Sequence, residues 1–246
     1  MRTGAGGGKE RNGLEMETLI SIRSLTKKYG GKPALDNITL DIPVGCIVGL
    51  LGPNGSGKTT LIKILNDLLH NYQGSVTIDG HSPDEYTKSI ISYLPDRGFL
   101  PDWMRPRDAF VLFRDFYTDF DNDRAHRMLA ELKLDETQRI KTMSKGMQEK
   151  LHLILVMSRH ARLFVLDEPI GGVDPAAREY IIRTIMTNYL SDATLLISTH
   201  LITDIEQIFN RVIFLKEGQV VLYDDASAIR MQHNKTVDEL FREVYR

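Results

Sequence analysis

The sequence predicts an α/β protein with a parallel sheet flanked by helices, an N-terminal antiparallel β portion and an inserted helical subdomain. Three observations lead to this prediction. Short apolar runs alternate with stretches of helical periodicity from Leu19 onward. A continuous apolar run at 46–51, typical of a central buried strand, leads into a glycine-rich loop and an amphipathic helix. Strand patterns stop between about residues 100 and 157 and return at 163, which indicates that helices are inserted there.

The individual elements follow from local patterns. Residues 1–15 are glycine-rich and polar, have no apolar signal-peptide core, and are predicted to be a disordered leader before one domain at 16–246. Apolar or alternating runs predict strands at 38–42, 46–51, 76–78, 90–94, 163–166, 194–198 and 212–215. Helical spacing predicts helices at 61–69 and 148–157, and a capping box at Thr236 and Glu239 predicts a last short helix.

Composition excludes several classes of protein. The 31 basic and 33 acidic residues nearly cancel, so there is no electrostatic attraction to nucleic acid, which is not expected as a partner. Apolar runs reach about six residues, far short of the roughly 20 that a membrane-spanning helix needs. The single cysteine, Cys46, cannot form an internal disulfide, which fits a reducing compartment.

The glycine-rich loop has the pattern G-x-x-x-x-G-K-[ST] between a predicted strand and a predicted helix. Its glycines let successive backbone N–H groups point at phosphate oxygens, and the helix N-terminus adds a positive dipole. Lys58 can reach the β- and γ-phosphates, and the Thr59 hydroxyl can bind Mg²⁺. The predicted nucleotide-binding residues are Gly52, Pro53, Asn54, Gly55, Ser56, Gly57, Lys58, Thr59 and Thr60.

The loop alone does not identify the reaction, because GTPases, kinases and transport ATPases all use it. A GTPase should also carry N-K-x-D, and the nearest candidate, at 234–237, lacks the final Asp and follows no strand. A second acidic strand is more informative: the run 163–166 ends in Asp167 and Glu168. Asp167 can hold Mg²⁺ through its water shell, and Glu168 can orient or deprotonate an attacking water.

The order of motifs over about residues 19–223 resembles that of the nucleotide-binding subunits of ABC transporters. Residues 144–148 lie at the position of the family signature, 167–169 are similar to its second acidic motif, and 171–174 to its D-loop. The resemblance implies a P-loop NTPase core. It also implies roles for three groups of residues: Tyr29 stacks on adenine, His200 contacts the γ-phosphate and Glu168, and Ser144 and Gly146 contact the nucleotide of a second subunit.

Two departures from the family pattern stand out. Lys145 and Met147 replace the first glycine and the glutamine of the signature, while the serine and the second glycine remain. Ser144 also suits the N-cap of the following helix, a role compatible with phosphate contact. Asp96 stands where the family has glutamine. It is retained as a metal-ligand candidate with Thr59 and Asp167, against the alternative of a solvated loop acid.

Two other patterns favour ordinary structure. The acidic run 119–123 lacks the glycine and glutamate of a calcium loop, so it is predicted to cap a helix. Most of the aromatic residues near it are predicted to form the core of the inserted helices. About two are expected to line a groove for a helix of a membrane subunit, with Trp103 the first choice; the set is Trp103, Phe110, Phe113, Phe116, Tyr117 and Phe120.

Together, these patterns predict an ATP-binding and ATP-hydrolysing subunit of an ABC transporter, of the bacterial drug or small-molecule exporter type. Its expected cofactors are ATP and Mg²⁺, and its catalytic residues are Glu168, His200 and Lys58. Its expected partners are an integral-membrane subunit and a second ATPase subunit, identical or not, at the cytoplasmic face of the membrane. The alternative is a soluble ATPase of the same family that acts in translation, repair or regulation. The transported substrate, the direction of transport and the origin of residues 1–15 stay open.

Overall fold

The computed structural model describes residues 17–190 and 192–246. The predicted leader at 1–15 lies outside the described residues. A six-stranded sheet in the order β5-β6-β7-β3-β8-β9 organises the chain. Its strands are β3 Ile47–Leu51, β5 Ile91–Leu94, β6 Leu163–Asp167, β7 Thr194–Thr199, β8 Arg211–Lys216 and β9 Gln219–Asp225.

The first five strands in that order run parallel, and β9 pairs antiparallel with β8 at the edge. The apolar run predicted to be a central strand is β3, which is buried along its whole length between β7 and β8. Because the strands are parallel, the carboxyl ends of β3, β6 and β7 meet at one edge of the sheet. That edge carries the glycine loop, the acidic pair and His200.

A second, three-stranded antiparallel sheet confirms the predicted N-terminal β portion. It consists of β1 Thr18–Tyr29, β2 Lys32–Pro43 and β4 Gln73–Ile78, in the order β2-β1-β4. Gly30 and Gly31 both have positive φ angles, so they form the tight turn that joins β1 to β2. Tyr29 therefore lies at the tip of this hairpin.

Two buried apolar clusters cover the two faces of the large sheet, as β3 illustrates. Ile47 and Leu51 belong to the cluster that includes the inserted helices, whereas Val48 and Leu50 belong to the cluster shared with the antiparallel sheet. Alternate side chains of a strand point to opposite faces. A strand between two such layers must be apolar throughout, which explains the continuous run in the sequence.

Helices cover both faces of the sheet. Those outside the insertion are α1 Lys58–Leu65, α2 Glu85–Ile90, α6 Pro175–Asn188, α7 Ile202–Ile205, α8 Ala226–His233 and α9 Val237–Val244. The capping box at Thr236 is confirmed and starts α9. The helix predicted at 61–69 instead ends at Leu65, because Asp67 adopts a positive φ of 53° that breaks the helical path. Leu68, predicted to lie on its apolar face, is 57% exposed.

Between β5 and β6 the chain is helical, with α3 Pro106–Phe116, α4 Asn122–Glu131, a 3₁₀ turn at Ile140–Thr142, and α5 Lys145–Met157. Asp121 caps α4 through the backbone N–H of Arg124, so the acidic run does cap a helix as expected. Ser144 caps α5, which begins at Lys145, three residues earlier than predicted.

The aromatic residues of this region divide as the sequence predicts in outline. Phe110, Phe113 and Phe120 are buried in the core of the insertion. Phe116 and Trp103 are 75% and 67% exposed.

A buried arginine, Arg159, follows α5 and lies 3.8 Å from the ring centroid of Tyr117. It pairs with Asp119 and also donates to the carbonyl oxygens of Ser89, in α2, and Ile91, the first residue of β5, so it ties the insertion to the sheet.

Candidate functional site

The loop between β3 and α1 can be built only with glycine at two of its positions. Gly57 has a φ of 112°, and a Cβ there would lie 2.5 Å from the carbonyl oxygen of Ala34. A Cβ on Gly52 would lie 2.4 Å from the carbonyl oxygen of Leu215. Contacts this short do not occur, so these glycines let the loop pass close to β2 and β8. The result is a concave backbone that ends at the N-terminus of α1.

Lys58 lies inside this loop, with 6% of its side chain exposed. Its Nζ donates to the carbonyl oxygens of Gly52, at 2.7 Å, and Pro53, at 3.3 Å. It is also 3.9 Å from Oε1 of Glu168. Burial lowers the pKa of Lys58, and the carboxylates of Glu168 and Asp167 oppose that shift. A buried ammonium with several donors is suited to bind a polyanion that enters the loop.

Ser56, in the same loop, has a buried hydroxyl without a hydrogen-bond partner in the described part of the chain. Among the described residues, only Ser56 Oγ and Tyr245 Oη are buried side-chain oxygen or nitrogen atoms without a hydrogen-bond partner. A buried hydroxyl that lacks a partner is costly, so such groups in native proteins call for an explanation. The Ser56 side chain does not line the cavity of this loop, and the described ranges of the structure show no partner for its hydroxyl.

The acidic pair lies at the end of β6, next to the loop. Asp167 is 2% exposed, and the Ser198 hydroxyl at the end of β7 donates a hydrogen bond to it. Burial raises the pKa of Asp167, while the hydrogen bond from Ser198 lowers it. A cation that approaches such a buried carboxylate stabilises its charged form.

Glu168 points away from Asp167 because the backbone turns sharply between them. Its φ is 51°, in the left-handed region that non-glycine residues seldom occupy. Its backbone N–H donates to the carbonyl oxygen of Ser198 at 3.0 Å and to the Ser198 hydroxyl at 3.2 Å, which holds this turn against β7.

His200 follows β7 and contacts the carboxylate of Glu168. Its Nδ1 is 2.9 Å from Oε2 of Glu168, and its backbone N–H is 3.4 Å from the same oxygen. The side chain of Glu168 is 13% exposed and that of His200 is 48% exposed. Glu168 thus lies between the buried ammonium of Lys58 and the accessible imidazole of His200.

A cavity of about 380 Å³ joins most of these groups. It is lined by Tyr29, Ala34, Asn54, Gly55, Gly57, Lys58, Thr59, Thr60, Asp96, Asp167 and Glu168. Gly52, Pro53 and Ser56 do not line this cavity, although Gly52 and Pro53 accept hydrogen bonds from Lys58. Ala34 is the lining residue that sequence reasoning missed, since a methyl group on a strand carries no chemical signal.

Tyr29 and Asp96 enter the cavity from opposite parts of the chain. Tyr29 is 51% exposed, and the Nζ of Lys27 lies 5.4 Å from its ring centroid. Lys27 is itself fixed by the carbonyl oxygens of His70 and Asn71. Asp96 follows β5, and its charge contributes to the raised pKa of Asp167. Both residues are therefore placed where a nucleotide in the loop could reach them.

The N-terminus of α5 lies apart from this cavity. Ser144 Oγ accepts a hydrogen bond from the backbone N–H of Met147 at 3.3 Å. A Cβ added to Gly146 would find open space, so this turn of the helix faces outward. The Nζ of Lys145 reaches back to the loop after Glu168, only 2.6 Å from the position of a Cβ on Gly172. Neither Ser144 nor Gly146 lines the cavity of its own chain.

Comparison with known proteins agrees with the fold and the loop. The family model described as ABC transporter matches residues 35–171. The uncharacterized ABC transporter ATP-binding protein YdbJ of Bacillus subtilis is 33% identical over 224 residues, covering 83% of this chain and 68% of that protein.

Two further relatives cover most of the chain. ABC transporter ATP-binding protein YtrB of Bacillus subtilis is 28% identical over 220 residues, with 88% of this chain and 75% of that protein covered. Daunorubicin resistance ATP-binding protein DrrA3 of Streptomyces coeruleorubidus is 27% identical over 236 residues, with 92% and 75% covered.

Two solved structures share the fold. The ATP-binding subunit of an ABC transporter superposes with a TM-score of 0.84 at 25% identity, over 93% of this chain and all of that one. A cassette in a dimeric post-hydrolysis state with ADP and phosphate gives a TM-score of 0.73 at 23% identity, over 84% of this chain and 98% of that one.

The fold and the glycine loop thus define a P-loop nucleotide-binding ATPase. The chain belongs to the ABC transporter family, in which it is an ATP-binding and ATP-hydrolysing subunit. Its relatives favour this function over the alternative of a non-transport ATPase. In the part of the chain that the structure describes, no helix combines the length and the apolar character needed to cross a membrane.

Proposed function

We propose that this subunit hydrolyses ATP–Mg²⁺ in a site completed by a second ATPase subunit, and thereby drives a separate integral-membrane subunit. The observation that carries the proposal is the position of Glu168, 3.9 Å from Lys58 and 2.9 Å from His200 at the rim of the loop cavity. A carboxylate there can act on a water that approaches the terminal phosphate.

Each residue of the site has a distinct proposed role. Lys58 exchanges its bonds to the carbonyl oxygens of Gly52 and Pro53 for bonds to the β- and γ-phosphates. Glu168 orients the attacking water and accepts its proton, and His200 holds the Glu168 carboxylate in place and contacts the γ-phosphate. Tyr29 stacks on the adenine at the outer end of the cavity.

The donor atoms present suit Mg²⁺. Thr59, Asp167 and Asp96 offer only oxygen to the cavity, and Mg²⁺ is usually held by one or two carboxylates together with substrate phosphates and water. Within the described ranges, no group of three or more His, Cys, Asp or Glu side chains could hold a metal by itself. Bound there, Mg²⁺ would neutralise charge on the phosphates.

The outward-facing start of α5 supports the proposal of a second subunit. Ser144 and Gly146 lie outside the cavity of their own chain but present a helix N-terminus to solvent. A helix N-terminus favours anions. In a head-to-tail pair, each nucleotide would lie between the loop of one chain and Ser144 and Gly146 of the other. The second subunit can be identical or different.

An apolar groove of about 640 Å³ supports the proposal of a membrane subunit. It lies between the inserted helices and the sheet, and its apolar wall includes Leu68, Tyr93, Pro95, Phe99, Leu112, Phe113, Phe116 and Tyr117. Trp103, the contact first expected from the sequence, does not line it; Phe116 does. A helix of an integral-membrane protein would fit such a groove and would hold this subunit at the cytoplasmic face of the membrane.

The exporter assignment rests on relatives. One of them is named as a daunorubicin resistance protein, which supports a role in moving drugs or other small molecules. The cargo itself would be recognised by the membrane subunit, because the cavities described here suit a nucleotide and a protein helix.

The proposal of a shared site is tested by nucleotide-dependent dimerisation. The Glu168→Gln protein with ATP–Mg²⁺ should elute as a dimer in size exclusion with light scattering, because the two subunits no longer dissociate after hydrolysis. The same protein without nucleotide should be largely monomeric at micromolar concentration. An equal mass in both conditions would contradict nucleotide-mediated pairing and would point to another surface.

The groove is tested separately with Phe116→Asp. In cells that also make the membrane subunit, this variant should lose its recovery with the membrane fraction, while the ATPase activity of the isolated protein stays unchanged. Trp103→Asp is the matched control, because Trp103 is similarly exposed but lies outside the groove. If both variants stay with the membrane, the groove is not the docking surface.

A further inference from the structure

We infer that Arg178 is a positioning residue for hydrolysis, which fixes the loop after Glu168 against the helix that follows His200. The inference deepens the proposed function and rests on the roles proposed there for Glu168 and His200. Arg178 itself does not line the nucleotide cavity, so it would act only through these two residues.

The contact between Glu168 and His200 depends on two separate loops. Glu168 follows β6 and His200 follows β7, and the distance of 2.9 Å between them is set by how these loops lie relative to each other. Pairing of β6 with β7 ends at Asp167 and Ser198. One more backbone bond, from the Glu168 N–H to the carbonyl oxygen of Ser198, extends this link, and beyond it the sheet no longer determines the spacing.

Arg178 links the two loops with separate nitrogens of one guanidinium. Its Nε donates to the carbonyl oxygen of Val173, at 3.1 Å, in the loop after Glu168. Its Nη1 donates to Oδ2 of Asp204, at 2.8 Å, on α7 after His200. The donors of a guanidinium have a fixed planar geometry, so the two bonds define the separation of the segments they join.

The bonds from the Glu168 backbone N–H to Ser198 hold only the first residue after β6, and the rest of each segment is held by apolar packing. The loop after Glu168 has Ile170 and Val173 buried in the core, and α7 has Ile202 and Ile205 buried there. Apolar burial is not directional, whereas the two hydrogen bonds of a planar guanidinium specify a separation. The Arg178–Asp204 pair is partly exposed, with 27% and 39% of the two side chains accessible. Such pairs stabilise the fold little, so a positioning role predicts a larger effect on turnover than on thermal stability.

The first experiment compares Arg178→Met with Arg183→Met in steady-state ATP hydrolysis. Arg183 lies on the same helix and pairs with Glu179 at 2.8 Å, but contacts neither loop, so it is the matched control. We expect kcat to fall about tenfold in Arg178→Met with KM for ATP and Tm nearly unchanged, because a small displacement of a catalytic group slows the reaction. Arg183→Met should behave as wild type. Equal kcat in both variants would overturn the inference.

Asp204→Asn breaks the same link from its other end and should reproduce the fall in kcat. The double variant Arg178→Met/Asp204→Asn should be no slower than either single variant. If Arg178→Met does not fold, Asp204→Asn carries the test alone. Multiplicative losses in the double variant would show that the two residues do not act as one link.

A spectroscopic measurement separates this inference from the proposed function. In protein labelled with ¹⁵N-histidine, the ring signals of His200 are identified by their absence in His200→Ala. They should shift in Arg178→Met and coincide with wild type in Arg183→Met. Unshifted signals in Arg178→Met would refute the positioning role. Normal hydrolysis by Glu168→Gln and His200→Ala would instead refute the catalytic roles, whatever the spectra show.

Discussion

The loop after β3 and the N-terminus of α5 both present backbone N–H groups at the start of a helix, yet they are built differently. The loop encloses a buried lysine and lines a cavity with carboxylates from β6. The start of α5 has no cavity of its own, and Gly146 faces open space. In the proposed function, the first binds nucleotide within its own chain, whereas the second acts on the nucleotide of another chain. Binding and turnover should therefore respond to different residues.

The largest difference between the effect on ATP binding and the effect on turnover is expected for Glu168→Gln. The substitution removes the carboxylate that is placed to accept a proton but keeps the shape of the side chain. ATP binding should persist, while turnover should fall about 10²–10⁴-fold, the usual loss for a well-placed base. The control is Glu179→Gln, an exposed acid on α6. Wild-type turnover in Glu168→Gln would exclude Glu168 from the mechanism.

The next largest effect is expected for Lys58→Ala, which removes the ammonium group from the loop after β3. Equilibrium binding of ATP should weaken by about 10–100-fold, because hydrogen bonds to charged groups contribute about 1.5–3 kcal/mol. Lys63→Ala on the same helix, an exposed position, should bind ATP as wild type does. If the two variants bind equally well, the phosphates do not lie in this loop.

A smaller effect, confined to turnover, is expected for Ser144→Ala. ATP binding by the isolated chain should be unchanged, because Ser144 lies outside the cavity. Turnover should fall by up to about tenfold through loss of the cap of α5, worth about 1 kcal/mol, and of its contact with the second nucleotide. Ser144→Thr, which keeps a hydroxyl, should recover most of the rate. Weakened binding in Ser144→Ala would mean that α5 acts within its own chain.

The smallest effect is expected for Asp96→Asn. If Asp96 helps to hold Mg²⁺, the concentration of Mg²⁺ or Mn²⁺ that gives half-maximal activity should rise severalfold. Asp102→Asn, an exposed acid in the same loop, is the control. Superimposable metal titrations for all three proteins would leave Asp96 as a solvated loop acid.

The sequence predicts those parts of the molecule whose structure depends on their own local residues. The loop 52–57 needs glycine for steric reasons, and a strand buried on both faces must be apolar. The parts that sequence missed depend on distant neighbours. Strand β9 is an edge with mixed burial, so it shows no clear pattern.

The same holds within the site. Trp103 and Phe116 look alike in sequence, and only the packing of α3 decides that Phe116 meets the groove. Arg178 is one of several arginines near α6, and its two hydrogen bonds arise because β6 and β7 bring Val173 and Asp204 within its reach. No local pattern could have distinguished it from Arg183.

The positive φ of Glu168 has a consequence for anyone who evolves this protein in the laboratory. The strain of a non-glycine residue in that conformation destabilises the fold by about 1 kcal/mol or more, and glycine would not have this strain. Glu168→Gly would relieve this strain but would also remove the carboxylate beside the buried Lys58, and under the proposed role of Glu168 it would lose most ATP turnover. If Glu168 has its proposed role, selection for stability at this position has to be coupled to selection for ATP turnover.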